Sequence, residues 1–101
     1  MDAQTRRDAV HNYILSKITS DIFNHLQGVD FHAELGAFGT YEDFIENQRS
    51  TLGDMDEARV DFFYRLVSLM PNIHTSDKED MLTKESLGFF LIDNRCIVLH
   101  E

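Results

Sequence analysis

Apolar side chains recur at every fourth position from Val10 through Ile14, Ile18 and Ile22 to Leu26, with Leu15 on the same arc. This spacing predicts one amphipathic helix over residues 2–27, ended by Gly28. Its opposite face carries Asn12, Ser16, Thr19, Ser20, Asn24 and Gln27, polar but nearly uncharged. His11 and His25 fall inside the apolar arc, about 21 Å apart on an unbroken helix, so they share no ligand and read as hydrogen-bonded core or boundary histidines. The period then changes. Val29, Phe31, Ala33 and Leu35 alternate with Asp30, His32 and Glu34, which predicts a short strand over 29–35 with one buried face.

Gly36 and Gly39 mark a turn. Thr40, with Asp43 three residues on, reads as an N-cap, and Tyr41, Phe44, Ile45, Gln48 and Leu52 follow at helical spacing until Gly53. Asp54 with Glu57 opens a third helix, which Pro71 stops. Apolar residues cover nearly every angle of that helix, leaving a strip of Asp61, Arg65 and Ser68, so it is expected at the centre of the core. Ser76 and Glu79 suggest one more short helix to about Ser86. Two apolar runs, Phe89 to Ile92 and Cys96 to Leu99, flank Asp93-Asn94-Arg95 and predict a β-hairpin. Both of its strands are apolar on both faces, so they need cover on both sides or a partner. The strand at 29–35 is one candidate to complete a three-stranded sheet, and a second copy of the hairpin across a dimer axis is the other. The expected architecture is α+β: three main helices with a small antiparallel sheet that includes the C-terminal hairpin.

A length of 101 residues with 43% hydrophobic and 11% aromatic content fits a single compact domain spanning 1–101. No apolar run approaches the roughly 20 residues of a membrane span, and the charged segment Met1 to Val10 does not resemble a secretory signal. The lone Cys96 forms no internal disulfide, consistent with a reducing compartment, and the expected location is the cytoplasm. Cys96 and His100 share a strand face about 13 Å apart, too far for a thiolate–imidazolium pair.

Charge sharpens the picture most. The net charge is -9, and it is unevenly placed: residues 1–29 balance, residues 62–101 carry -2, and residues 30–61 carry -7. Glu42, Asp43 and Glu46 lie on the second helix; Asp54, Asp56, Glu57 and Asp61 lie at and after the start of the third. Solvation and favourable interaction with helix N-termini explain part of this pattern. The functional reading is a negative surface that steers and docks a basic protein. Helical carboxylates about 6 Å apart also approximate phosphate spacing, so nucleic-acid mimicry is a specific form of that reading. The same charge disfavours direct nucleic-acid or anionic-membrane binding. The Leu52-Gly53-Asp54 junction has the layout of a helix-turn-helix, but the following helix lacks the exposed Arg, Lys, Asn or Gln that base reading requires.

No nucleophile elbow, glycine-rich phosphate loop or calcium loop is present in the sequence. Asp30, His32 and Glu34 would share one strand face at steps of about 6.6 Å, too widely spaced to converge on a metal without a bulge. The reading is therefore a small acidic interaction protein rather than an enzyme, with neither cofactor nor metal expected. An inhibitor or immunity-type protein covering the nucleic-acid-binding surface of a nuclease, or of another basic protein, fits best. A structural or adaptor subunit, dimerising through the hairpin, is one alternative, and a small metal protein or enzyme using Asp30, His32 and Glu34 is another.

Overall fold

The computed structural model describes residues 2–27, 30–69 and 86–100, folded as four α-helices, one 3₁₀ helix and a hairpin. The order is α1 (Ala3–Lys17), α2 (Ser20–Leu26), the 3₁₀ helix (Asp30–Phe38), α3 (Tyr41–Asp54), α4 (Glu57–Leu69), β1 (Ser86–Ile92) and β2 (Arg95–His100). This is the α+β architecture expected from the sequence.

The long first helix divides in two. A stripe repeating every four residues drifts by 40° per step on a 100° helix, so Val10 and Leu26 would lie about 160° apart. The break at Ile18 and Thr19 resets the face. Ile18 leaves helical geometry (φ -110°, ψ 79°) and Thr19 caps α2, its hydroxyl accepting from the Ile22 N–H. Burial then passes from Val10, Ile14 and Ile18 to Phe23 and Leu26. Tyr41 of α3 donates its hydroxyl to the Ile18 carbonyl at 2.8 Å, satisfying a group exposed by the break.

Residues 30–35, expected in a strand, instead begin the 3₁₀ helix. Among its described side chains Leu35 and Phe38 are buried, and a separation of three places them on one face at three residues per turn. Period two and period three both bury Leu35; Phe38, which breaks the alternation, decides for the helix. Among the described residues the sheet is accordingly two-stranded.

Thr40 caps α3 as its position suggests, accepting from the Asp43 N–H, but α3 runs through Gly53 to Asp54. The cap of α4 is Asp56, whose carboxylate accepts from the Arg59 N–H at 2.8 Å, rather than Asp54. Within α4 one face is buried (Val60, Phe63, Leu66), while Phe62 is 49% exposed. The central position belongs instead to α1, which packs against α3, α4 and β1. The expected stop at Pro71 and the short helix after Ser76 lie outside the described residues.

The hairpin turns at Asp93 and Asn94, both with positive φ (49° and 63°), the pair of left-handed residues that a two-residue turn needs to match strand twist. Arg95, expected in the turn, opens β2 opposite Ile92. β1 is covered on both faces. Phe89 stacks with Tyr13 and Phe63 at 5.7 and 5.4 Å; Phe90 packs on Phe38 and Phe44 at 6.1 and 6.2 Å. β2 is covered less well: Cys96, Ile97 and Val98 are half-buried, and Leu99 is buried. Among the described residues no helix is long and apolar enough to cross a membrane.

Candidate functional site

Helix α3 positions four of the seven candidate acids, Glu42, Asp43, Glu46 and Asp54, and one buried contact fixes how it sits. Gln48 is fully buried, and its carboxamide donates to the Leu91 carbonyl and accepts from the Leu91 N–H, both at 2.8 Å. Leu91 lies opposite Cys96, one step from the turn, where an antiparallel ladder points backbone groups away from the partner strand. Gln48 therefore occupies the outer edge of β1 in place of a third strand.

With Gln48, Phe44 and Leu52 directed into the core, Glu42, Asp43, Glu46 and Asp54 are exposed. They do not form one patch. Glu42, Asp43 and Glu46 cluster toward the start of α3, whereas Asp54 stands about 12–18 Å from them along the axis, near Asp56 and Glu57 at the start of α4. Glu46 forms an exposed ion pair with Arg49 at 3.4 Å, a contact of little energetic weight. Asp56 caps α4. Asp61 pairs with Arg65 at 2.9 Å, approaches Arg6 at 4.0 Å and is half-buried, which separates it from the exposed acids. Among the described residues, no ion pair reaches Glu42, Asp43, Asp54, Asp56 or Glu57.

A cleft of about 220 Å³ adjoins the second cluster, between the end of α3 and the hairpin turn. Asp54 and Asp93 line it together with Asn47, Thr51 and Asn94. Sequence reasoning missed Asp93, which lies far from Asp54 in the chain and was read only as a turn former. Arg59, whose guanidinium lies 5.2 Å from the Phe63 ring, donates to the Asn94 carbonyl at 3.2 Å and ties the turn to α4.

On the other flank of α3, a cleft of about 280 Å³ is lined by Arg7, Asp8 and His11 of α1 and by Arg49. Arg7 donates to the Leu52 and Met55 carbonyls, each at 2.8 Å, supplying positive charge at the C-terminal end of α3. His11, only 6% exposed, shares a hydrogen bond between Nε2 and the Ile45 carbonyl, a satisfied core histidine. His25 is exposed instead.

The backbone of residues 30–34 lies in the 3₁₀ helix, so the strand face expected to align Asp30, His32 and Glu34 does not form. No group of three His, Cys, Asp or Glu side chains fit to hold a metal occurs among the described residues. Burial pushes the Cys96 thiol up to about 12, against the opposing pull of Arg59, which leaves it a poor nucleophile near neutral pH. No protein-family model, curated protein or solved structure matches the chain.

Proposed function

We propose that the protein is a small acidic binding domain that docks on a basic surface of another protein, in the manner of an inhibitor or immunity-type protein occupying a nucleic-acid-binding site. The observation that carries this reading is the set of exposed carboxylates at the two ends of α3, five of which have no ion pair among the described residues. Two clusters about 12–18 Å apart along one helix present charge at fixed spacing, which gives a partner register as well as attraction. The second cluster adjoins the Asp54–Asp93 cleft, into which a lysine or arginine side chain of the partner fits. Nucleic acid competes for the same partner surface in this reading. A cytoplasmic location belongs to the same proposal.

A clean test avoids Asp56, since losing that cap alone costs about 1 kcal/mol. Glu42 sits where the helix dipole favours an acid and Asp54 where it disfavours one, so the E42K and D54K effects on stability oppose each other. The double variant reverses both clusters and is expected to melt within a few degrees of the parent. Used as baits in host extract, the parent is expected to retain a basic nucleic-acid-binding protein that added DNA or RNA and 0.5 M salt both release. The double variant is expected to lose it. Equal retention by both baits would refute the proposal.

A further inference from the structure

Strand β1 has no free edge at Leu91, because Gln48 takes its outward N–H and C=O. Among the described residues, strand β2 has no such cover. In the observed register Ile92 faces Arg95, Phe90 faces Ile97 and Gly88 faces Leu99, and these are the positions where the ladder directs hydrogen bonds inward. The alternate residues of β2, Cys96 and Val98, direct their N–H and C=O groups outward, where no strand pairs with them among the described residues. A natural edge is normally blunted by proline, an inward charge or a bulge on the edge strand itself. The sequence Arg95-Cys-Ile-Val-Leu-His100 has no proline, no charge between its ends and no bulge on its own side. Its central side chains are apolar on both faces and half-exposed.

We propose that β2 is a self-association edge: two copies pair antiparallel through it, with Val98 opposite Val98 on the two-fold axis, and form one four-stranded sheet. This register makes use of every outward position, since Cys96 of each copy then faces His100 of the other. A centre at Ile97 would leave fewer outward groups paired. The occupant is a second copy rather than an unrelated strand because of the charge map. The hairpin from Ser86 to His100 contains one acid, Asp93, and one base, Arg95, so it is neutral. The excess of seven negative charges lies in residues 30–61. In a pair of molecules each carrying -9, the neutral edge is the surface that brings them together with least repulsion, and screening falls to about 8 Å at physiological salt. One six-residue strand pair is a small interface, so the dimer belongs to the weak class, with a dissociation constant of about 10–100 μM. The geometry places two copies of the acidic surface on one particle and so allows bivalent docking.

Sedimentation equilibrium of the whole protein from 5 to 500 μM tests this. The expected result is a monomer–dimer equilibrium that tightens between 50 and 500 mM salt as like charges are screened. Docking through the acidic clusters has the opposite salt dependence, so failure of one reading leaves the other standing. V98P removes an N–H that makes no bond within the hairpin and is expected to weaken dimerisation at least tenfold. I97K places a charge on the half-exposed edge and keeps every backbone donor; it serves if V98P misfolds by circular dichroism, with the same loss expected. Monomer only at 500 μM would overturn the proposal, as would a dimer unaffected by the folded variants.

Discussion

Replacing Gln48 by methionine isolates the contact that closes the outer edge of β1. Methionine has nearly the same length and volume, so the core stays filled, while both 2.8 Å hydrogen bonds to Leu91 disappear. Each bond contributes about 1 kcal/mol net, but the Leu91 N–H and C=O would also remain buried without partners, at about 1–3 kcal/mol each. The expected loss is about 2–5 kcal/mol, a large part of the roughly 5–15 kcal/mol available to a domain of this size. At about 4–8 °C per kcal/mol the melting temperature should fall by about 10 °C or more.

Q48E provides a second, sharper readout. An ionised carboxylate still accepts from the Leu91 N–H but faces the Leu91 carbonyl with a second oxygen, whereas the protonated acid donates to that carbonyl. Burial raises the folded-state pKa of this glutamic acid above its unfolded value of about 4.3. The variant's stability relative to the parent is therefore fully retained below about pH 4.3 and lost as pH rises through the folded-state value. Urea unfolding followed by circular dichroism should show the gap between Q48E and parent widening from pH 4 to pH 7. A Q48M variant within 0.5 kcal/mol of the parent, or a Q48E gap independent of pH, would refute the reasoning.

Two further outcomes follow from local geometry. Gly88 has φ 149° and an added Cβ would stand 2.7 Å from the Lys17 Cβ, so G88A is expected to cost about 1–3 kcal/mol from backbone strain, more with the clash; thermal unfolding at parental stability would contradict this. The Cys96 thiol, pushed by burial up to about 12 from its ordinary 9.0, should be alkylated by iodoacetamide at pH 8 on the order of tenfold or more slowly than in urea, because thiolate is scarce and higher intrinsic nucleophilicity restores only part of the rate. Equal labelling rates in native and unfolded protein would remove the case for a desolvated thiol.

Much of the fold was legible where local chemistry and tertiary packing agree. Thr40 before an apolar helical pattern, and Asp93-Asn94 between two apolar runs, specify a cap and a turn by mechanisms that need no distant partner. Legibility failed where two periods fit the same residues. Val29 to Leu35 alternates as a strand does, but the packing of Leu35 with Phe38 selects three residues per turn, and only the surrounding helices make that choice. The break after Lys17 was present in the sequence as the drift of a four-residue stripe, with Phe23 rather than Ile22 taking the inward position. At the candidate site, helix periodicity exposed the acids of α3 correctly. It could not show that Asp61 is drawn between two arginines or that Asp93 joins Asp54 across a cleft, since both depend on contacts between separate elements.

Asp54 bears most directly on whether the acidic surface exists for folding or for binding. Glu42, Asp43 and Glu57 occupy first turns of helices, where a carboxylate stabilises the exposed N–H groups, and Asp56 is a cap; each of the four has a folding role beside the docking role proposed for it. Asp54 is the last residue of α3, where the carbonyl end of the helix favours a cation by about 0.3–1 kcal/mol. The fold meets that demand from elsewhere, by bringing Arg7 of α1 onto the Leu52 and Met55 carbonyls. An acid at a position that opposes its own helix, beside a second acid across a cleft, has no folding role among the described residues, and in the proposed reading a cationic group of a partner gives it a binding one. The D54K half of the charge-reversed variant should therefore gain stability while it loses the partner, a combination that a purely solvating carboxylate does not produce.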